Sequence, residues 1–206
     1  QINNFGLAEA GGRVVKTLIL APTRDLCAQI GETIQSLCKN MQTSIKLATV
    51  YGGVSINPQM MHLRGGADIV VATPGRLLDL LEHNALKIDQ VQHLVLDEAD
   101  RLLDMGFTQE LNEIFYLLPK KRQNLLFSAT MPPKMRDLAR KLMQDPVEVT
   151  IAVSKPPEAI VQEAFVVYEK QKSALVKHLL KRQDYTRVIV FCSRKQNVKS
   201  LTSDLK

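Results

Sequence analysis

From Val14 onward the chain alternates short β-branched runs with amphipathic segments of helical period, the pattern of βα units wound around a parallel sheet. Residues 14–21, 45–51, 69–72, 93–96, 124–127 and 147–151 read as strands, and residues 25–39, 57–64, 75–83, 108–118 and 133–144 as helices. The predicted fold class is therefore α/β, a parallel sheet with helices on both faces. Near Ser154 the texture changes: Ser154-Lys155-Pro156-Pro157-Glu158 sets two prolines in a polar stretch that neither helix nor strand tolerates well. This places a first domain at 1–153, a linker at 154–160 and a second domain at 161–206. The second domain is predicted to run strand 161–168, helix 171–182, strand 187–192 and a helix from Lys195 onward. So short a segment is near the size at which a lone domain has too little core, so the second domain is expected to be partial.

Composition excludes several classes. The longest apolar runs are strand-sized and fall short of the roughly 18 residues a membrane span requires. The first twelve residues are polar and glycine-rich, without the basic start and apolar centre of a signal peptide. Cys27, Cys38 and Cys192 form no C-x-x-C pair, which supports neither a disulfide framework nor a zinc site and reads as reduced thiols in a cytoplasmic protein. His62, His83, His93 and His178 are scattered and receive no role. A formal charge of +6 favours a polyanionic partner, although a solvated basic surface accounts for it as well.

The most informative stretch is Val95-Leu96-Asp97-Glu98-Ala99-Asp100, where an apolar strand ends directly in carboxylates. At the carboxyl end of a parallel strand such groups face the crevice in which doubly wound sheets bind ligands. Asp97 is then a candidate Mg2+ partner, because that ion binds through one or two carboxylates, retained waters and phosphates. Glu98 is a candidate to orient or deprotonate an attacking water. The competing reading is that acids favour the first turn of a helix, where they complement its dipole.

A second feature recurs: a strand ends in Thr-containing polar residues and a helix is predicted to start at once. The instances are Pro22-Thr23-Arg24, Thr73-Pro74-Gly75-Arg76 and Ser128-Ala129-Thr130. Helix N-termini along one sheet edge can hold a row of phosphates, and Arg24 and Arg76 add charged donors. Plain capping, with Thr as N-cap and Pro74 at the first helical position, explains the threonines but not the arginines. Gly52 and Gly53 permit close backbone approach to a ligand, or form an ordinary turn. With aromatic content of 5% and no tryptophan, a base-stacking platform is not evident, so a bound nucleic acid would be held by its sugar-phosphate backbone with little sequence preference.

Read in order, Pro22-Thr23-Arg24-Asp25-Leu26, Gly52-Gly53, Thr73-Pro74-Gly75-Arg76, Asp97-Glu98-Ala99-Asp100, Ser128-Ala129-Thr130 and Val188-Ile189-Val190-Phe191 resemble the ordered motifs of DEAD-box ATP-dependent RNA helicases, with the last part similar to bacterial members of the RhlE type. The resemblance implies a RecA-like sheet of the P-loop NTPase kind with the start of a second RecA-like domain, and ATP, Mg2+ and RNA as ligands. It implies that Asp97 holds magnesium through water, Glu98 positions the hydrolytic water, and Asp100 bonds to Ser128 and Thr130 to couple hydrolysis to strand separation. Pro22, Thr23, Arg24, Gly52, Gly53, Thr73, Pro74, Gly75 and Arg76 are the implied contacts to the RNA backbone. Asp25 stands where the family pattern has glutamate. No G-x-x-x-x-G-K-[ST] occurs in the 206 residues, so the first strand and phosphate loop of such a domain are missing from them and the chain alone is expected to be inactive as an ATPase. The alternative expectation is a non-catalytic module that binds RNA backbone.

Overall fold

The structure, a computed structural model, describes residues 12–39, 41–151, 160–182 and 185–205. The chain separates into two units, one reaching Glu148 and the other starting at Val149. Apart from Ile160, the predicted linker lies outside the described residues.

In the first unit the order is β1 (Thr17–Leu20), α1 (Arg24–Cys38), β2 (Leu47–Val50), α2 (Asn57–His62), β3 (Ile69–Ala72), α3 (Pro74–Glu82), β4 (His93–Leu96), α4 (Ala99–Asp104), α5 (Thr108–Leu117), β5 (Gln123–Leu126) and α6 (Pro133–Leu142). The strands make one sheet in the order β2-β3-β1-β4-β5, and every neighbouring pair is parallel. β1 lies at the centre, and the chain winds first to one side of it and then to the other.

Side-chain alternation divides the core between the two faces. Leu18 and Leu20, with Leu94 and Leu96, join Leu77 and Leu80 of α3, Leu111 and Ile114 of α5 and Met135 of α6 in one cluster. Ile19 and Val71, one residue out of phase, pack instead with Cys27, Ile30 and Ile34 of α1. Helices thus cover both faces, as the sequence pattern predicts. Each fully buried leucine is worth about 1.5–3 kcal/mol, so the first cluster carries most of the stability. The cover is unequal: β3 is buried at all its positions, whereas β1, β2 and β4 alternate between buried and half-buried. Full burial on both faces is the rule for a parallel strand, and here β3 alone meets it throughout.

On the face of α1, Thr23 caps the helix by accepting from the Leu26 amide at 3.3 Å, and Asp25 sits in its first turn. Gly31 lets the helix settle onto β2, since a Cβ there would come within 2.5 Å of the Thr49 hydroxyl oxygen. Cys27 lies in this contact, and burial pushes its thiol up from 9.0 to about 12, so it stays protonated and inert at neutral pH.

Several expectations need correction. The run at 147–151 is not a strand; Val147, Val149 and Ile151 are exposed and make no ladder. In the second unit the described elements are a 3-10 turn (Glu169–Gln171), α7 (Lys172–Arg182) and α8 (Lys195–Leu205). The predicted strands at 161–168 and 187–192 are not formed; Val161, Ile189 and Phe191 stand exposed. The reason is the same in each case. β-branched runs record a preference for a pleated, half-buried surface, and a parallel strand exists only where neighbours take up its hydrogen bonds. Among the described residues no strand ladder forms at these runs.

Candidate functional site

The register of the sheet fixes where the strand ends lie. Leu20 pairs with both Ala72 and Leu96, Ala72 with Val50, and Leu96 with Leu126, so all five strands finish level. Pairing continues one step further: the Thr73 amide donates to the Val50 carbonyl at 3.1 Å, Asp97 to Leu20 at 3.0 Å and Phe127 to Leu96 at 2.8 Å. The residues that follow each strand therefore line a single carboxyl edge, about 19 Å long over four spacings of ~4.8 Å. Along it stand Gly52 and Gly53 after β2, Thr73 after β3, Pro22, Thr23 and Arg24 after β1, Asp97 and Glu98 after β4, and Ser128 after β5. Gly, Thr and Arg24 with its partner Asp25 occupy the half from β2 to β1, and the cluster Asp97, Glu98 and Asp100 follows β4.

On the acidic half, the turn out of β4 is strained. Glu98 adopts a left-handed conformation, φ 46°, which costs a non-glycine residue about 1–3 kcal/mol and persists where the surroundings over-determine it. The turn throws Asp97, Glu98 and Asp100 in different directions. Asp97 accepts the Glu98 amide on Oδ1 at 3.0 Å, and its Oδ2 has no protein donor among the described residues. Glu98 pairs with Arg101 at 3.0 Å, an exposed ion pair worth about 0–1 kcal/mol and easily exchanged. Asp100 turns the other way, to the loop after β5. Its Oδ2 accepts from the Thr130 hydroxyl at 2.6 Å and the Thr130 amide at 3.0 Å. Ser128 Oγ accepts the Asp100 amide at 3.3 Å and donates to the Thr130 carbonyl at 2.7 Å. The hydrogen bonds expected between Asp100 and both Ser128 and Thr130 are present.

Two opposing effects act on Asp100. Burial pushes its carboxyl up, but hydrogen bonds from the Thr130 hydroxyl, the Arg101 amide and the Thr130 amide together hold it below the usual carboxylate value. With the folded pKa depressed below an unfolded value of roughly 3.9, the link stabilises the fold fully above that pH and is lost as pH falls through the folded value. In acid melting series, the wild-type chain is therefore expected to lose more stability below about pH 4 than Asp100→Asn, with the two curves parallel at neutral pH. Parallel curves throughout would show that the link carries no charge.

The other half is built differently from what the sequence implies. Thr73 does not cap α3; its Oγ1 accepts the Gly52 amide at 3.3 Å. Pro74 does open α3, as predicted. Arg24 is exposed and pairs loosely with Asp25 at 3.5 Å. Arg76, expected at the surface, is 8% exposed; its NH2 donates to the Val54 carbonyl at 2.8 Å and its Nε meets Asp79 at 3.4 Å. Helix α6 starts at Pro133, so Ser128, Ala129 and Thr130 form a loop rather than a helix start. Gln59 of α2, unmarked by any motif, pairs with both the amide and carbonyl of Tyr51, at 3.2 and 3.1 Å.

Among the described residues no group of three or more His, Cys, Asp or Glu forms a metal cage. Magnesium held by one carboxylate, waters and phosphates needs none, and the open Oδ2 of Asp97 fits that coordination. Two clefts, of about 600 and 840 Å³, are lined largely by residues that precede the strands, such as Arg13, Gly66 and Ile88, away from the carboxyl edge. No described helix is long and apolar enough to cross a membrane.

A parallel sheet in this order, with acids after one strand and Thr and Gly corners after the others, defines a RecA-like α/β domain. The chain belongs to the DEAD/DEAH box helicase family, whose model matches residues 5–138. It is 40% identical over 203 residues to the DEAD-box ATP-dependent RNA helicase 20 of Arabidopsis thaliana, covering 97% of this chain and 40% of that protein. It is 38% identical over 193 residues to the DEAD-box ATP-dependent RNA helicase CshA of Streptococcus pneumoniae, covering 93% of this chain and 36% of that protein. Among solved structures, a DEAD box protein from the hyperthermophile Methanococcus jannaschii superposes with a TM-score of 0.62 at 37% identity, covering 94% of this chain and 51% of the other. The chain thus spans well under two thirds of these relatives' length.

Proposed function

We propose that this chain is the part of an ATP-dependent RNA helicase that joins the hydrolytic carboxylates to the RNA backbone. The supporting observation is the level carboxyl edge, which sets the acids and the Thr, Gly and Arg24 corners side by side on one sheet. Bound Mg2+ and ATP supply the phosphoryl group and the charge that neutralises it. Within that reading Asp97 holds the metal through water, and Glu98, released from Arg101, orients and accepts a proton from water. Asp100 carries the state of that site to the loop of Ser128 and Thr130. Thr23, Arg24, Gly52, Gly53 and Gly75 face RNA phosphates and sugars, with little sequence preference, while Pro22, Thr73 and Pro74, expected among these contacts but buried, shape the corners from behind. The proline-bearing segment 154–160 is read as the linker to a second domain, close to the division of the two units after Glu148, and reduced thiols accord with a cytoplasmic location.

The missing G-x-x-x-x-G-K-[ST] favours a second reading for the 206 residues taken alone, an RNA-backbone module without turnover. RNA-stimulated release of inorganic phosphate from ATP distinguishes the two. The protein at its full encoded length is expected to show it, and the 206-residue chain is not. No stimulation by RNA at full length would leave only the binding module, and turnover by the 206-residue chain would contradict the need for a G-x-x-x-x-G-K-[ST] phosphate loop.

A further inference from the structure

We propose that Gln59 and Arg76 are positioning residues that hold the turn at Gly52 and Gly53 in the shape that receives RNA, a proposal that rests on the functional reading above. The crown of that turn is open. A Cβ built on Gly52 or Gly53 meets no atom within 4 Å, Gly53 has φ +81°, and Val54 is exposed. Packing therefore does not fix the turn, and its shape depends on polar bonds at its base.

Those bonds come from three side chains. Gln59 reaches back from α2 and pairs with Tyr51 on both its amide and its carbonyl, at 3.2 and 3.1 Å, as a neighbouring strand would. Thr73 accepts the Gly52 amide at 3.3 Å. Arg76 closes the far side, its NH2 on the Val54 carbonyl at 2.8 Å, with Asp79 at 3.4 Å orienting the guanidinium. Every residue from Tyr51 to Val54 except Gly53 is thus held by its own backbone, and Gly53, the residue with positive φ, is left at the tip.

The burial of Arg76 decides its role. Only 8% of it is exposed, which puts the guanidinium behind the turn rather than on the surface where a strand would lie. Its NH1 is buried without a protein partner among the described residues. Burying a charged group with one donor unpaired is costly, and retaining it is explicable if the remaining bonds serve the turn. Arg76 acts on RNA through Val54, and Gln59 does the same through Tyr51.

The test uses the protein at its full encoded length with a short fluorescein-labelled oligouridylate and a non-hydrolysable ATP analogue, and the variants Q59L, R76Q and Q59L/R76Q. Each single change is expected to weaken RNA binding about three- to tenfold, the scale of one or two lost hydrogen bonds. Because both act on one turn, the double variant should bind no worse than about the weaker single one. The salt dependence separates positioning from direct contact. Loss of a phosphate contact lowers the log–log salt slope by about 1, whereas loss of a buried brace leaves it unchanged. Nucleotide affinity and melting temperature should stay near wild type for Q59L, which carries the test alone should R76Q unfold. Additive losses, a lower salt slope for R76Q, or RNA binding unaffected by Q59L would overturn the inference. Wild-type protein that does not bind the oligonucleotide would overturn the functional reading itself.

Discussion

Glu98→Gln in the full-length protein is expected to lower kcat for RNA-stimulated ATP hydrolysis by about 10²–10⁴-fold, the usual contribution of a positioned general base. Gln keeps the size of the side chain and an oxygen for Arg101, but it cannot take a proton. The backbone already marks the position: Glu98 is held at φ 46° where β4 meets α4, beside Asp97 and at the level end of the sheet. Affinity for RNA should change little, because the corners proposed to face the RNA backbone lie after β1, β2 and β3. A steady-state assay that found Glu98→Gln within a few-fold of wild type would remove Glu98 from the chemistry.

Leu96→Ala is expected to destabilise the chain by about 2–5 kcal/mol. Leu96 is 1% exposed, sits on the strand that delivers Asp97 and Glu98, and pairs in register with Leu20 and Leu126. Its loss opens a cavity between the sheet and the helices on the better covered face, at the point where backbone geometry matters most for the acids. Urea unfolding should show a lower midpoint at unchanged slope, against Leu37→Ala as an exposed control expected to stay within about 0.5 kcal/mol. Equal midpoints for the two variants would mean that β4 is not part of the core.

Much of the first unit is legible in the sequence because period and punctuation agree there. Apolar runs such as Ile69 to Ala72 end in Thr-Pro or Asp-Glu, and both the strand and the turn can be read at once. The helix α4 is not legible because its six residues are too few to display a helical period. Strand order is not legible, since nothing local to β2 or β3 says that both lie on the far side of β1 from β4. That order is what separates the Gly52 and Thr73 corners from Asp97 and Glu98. Runs 147–151, 161–168 and 187–192 show the opposite failure, a strong preference with no partner to pair it.

Side-chain roles are harder still. The bond from Asp100 to Thr130 follows from the family resemblance and is found in the geometry. The burial of Arg76 is invisible in sequence, because arginine after a Thr-Pro-Gly corner reads as a surface donor until the Val54 carbonyl is seen behind it. Gln59 gives no signal at all; one glutamine on a short helix becomes meaningful only when Tyr51 is found opposite.

The central claim is that one sheet edge serves nucleotide and RNA together, and thermodynamic linkage tests it most directly. Affinity of the full-length protein for oligouridylate should be measured with and without a non-hydrolysable ATP analogue and Mg2+, and nucleotide affinity with and without RNA. The account predicts that each ligand tightens the other by the same factor, about 5–150-fold, and that Asp100→Ala shrinks that factor. Ligands that bind with no effect on each other would contradict it.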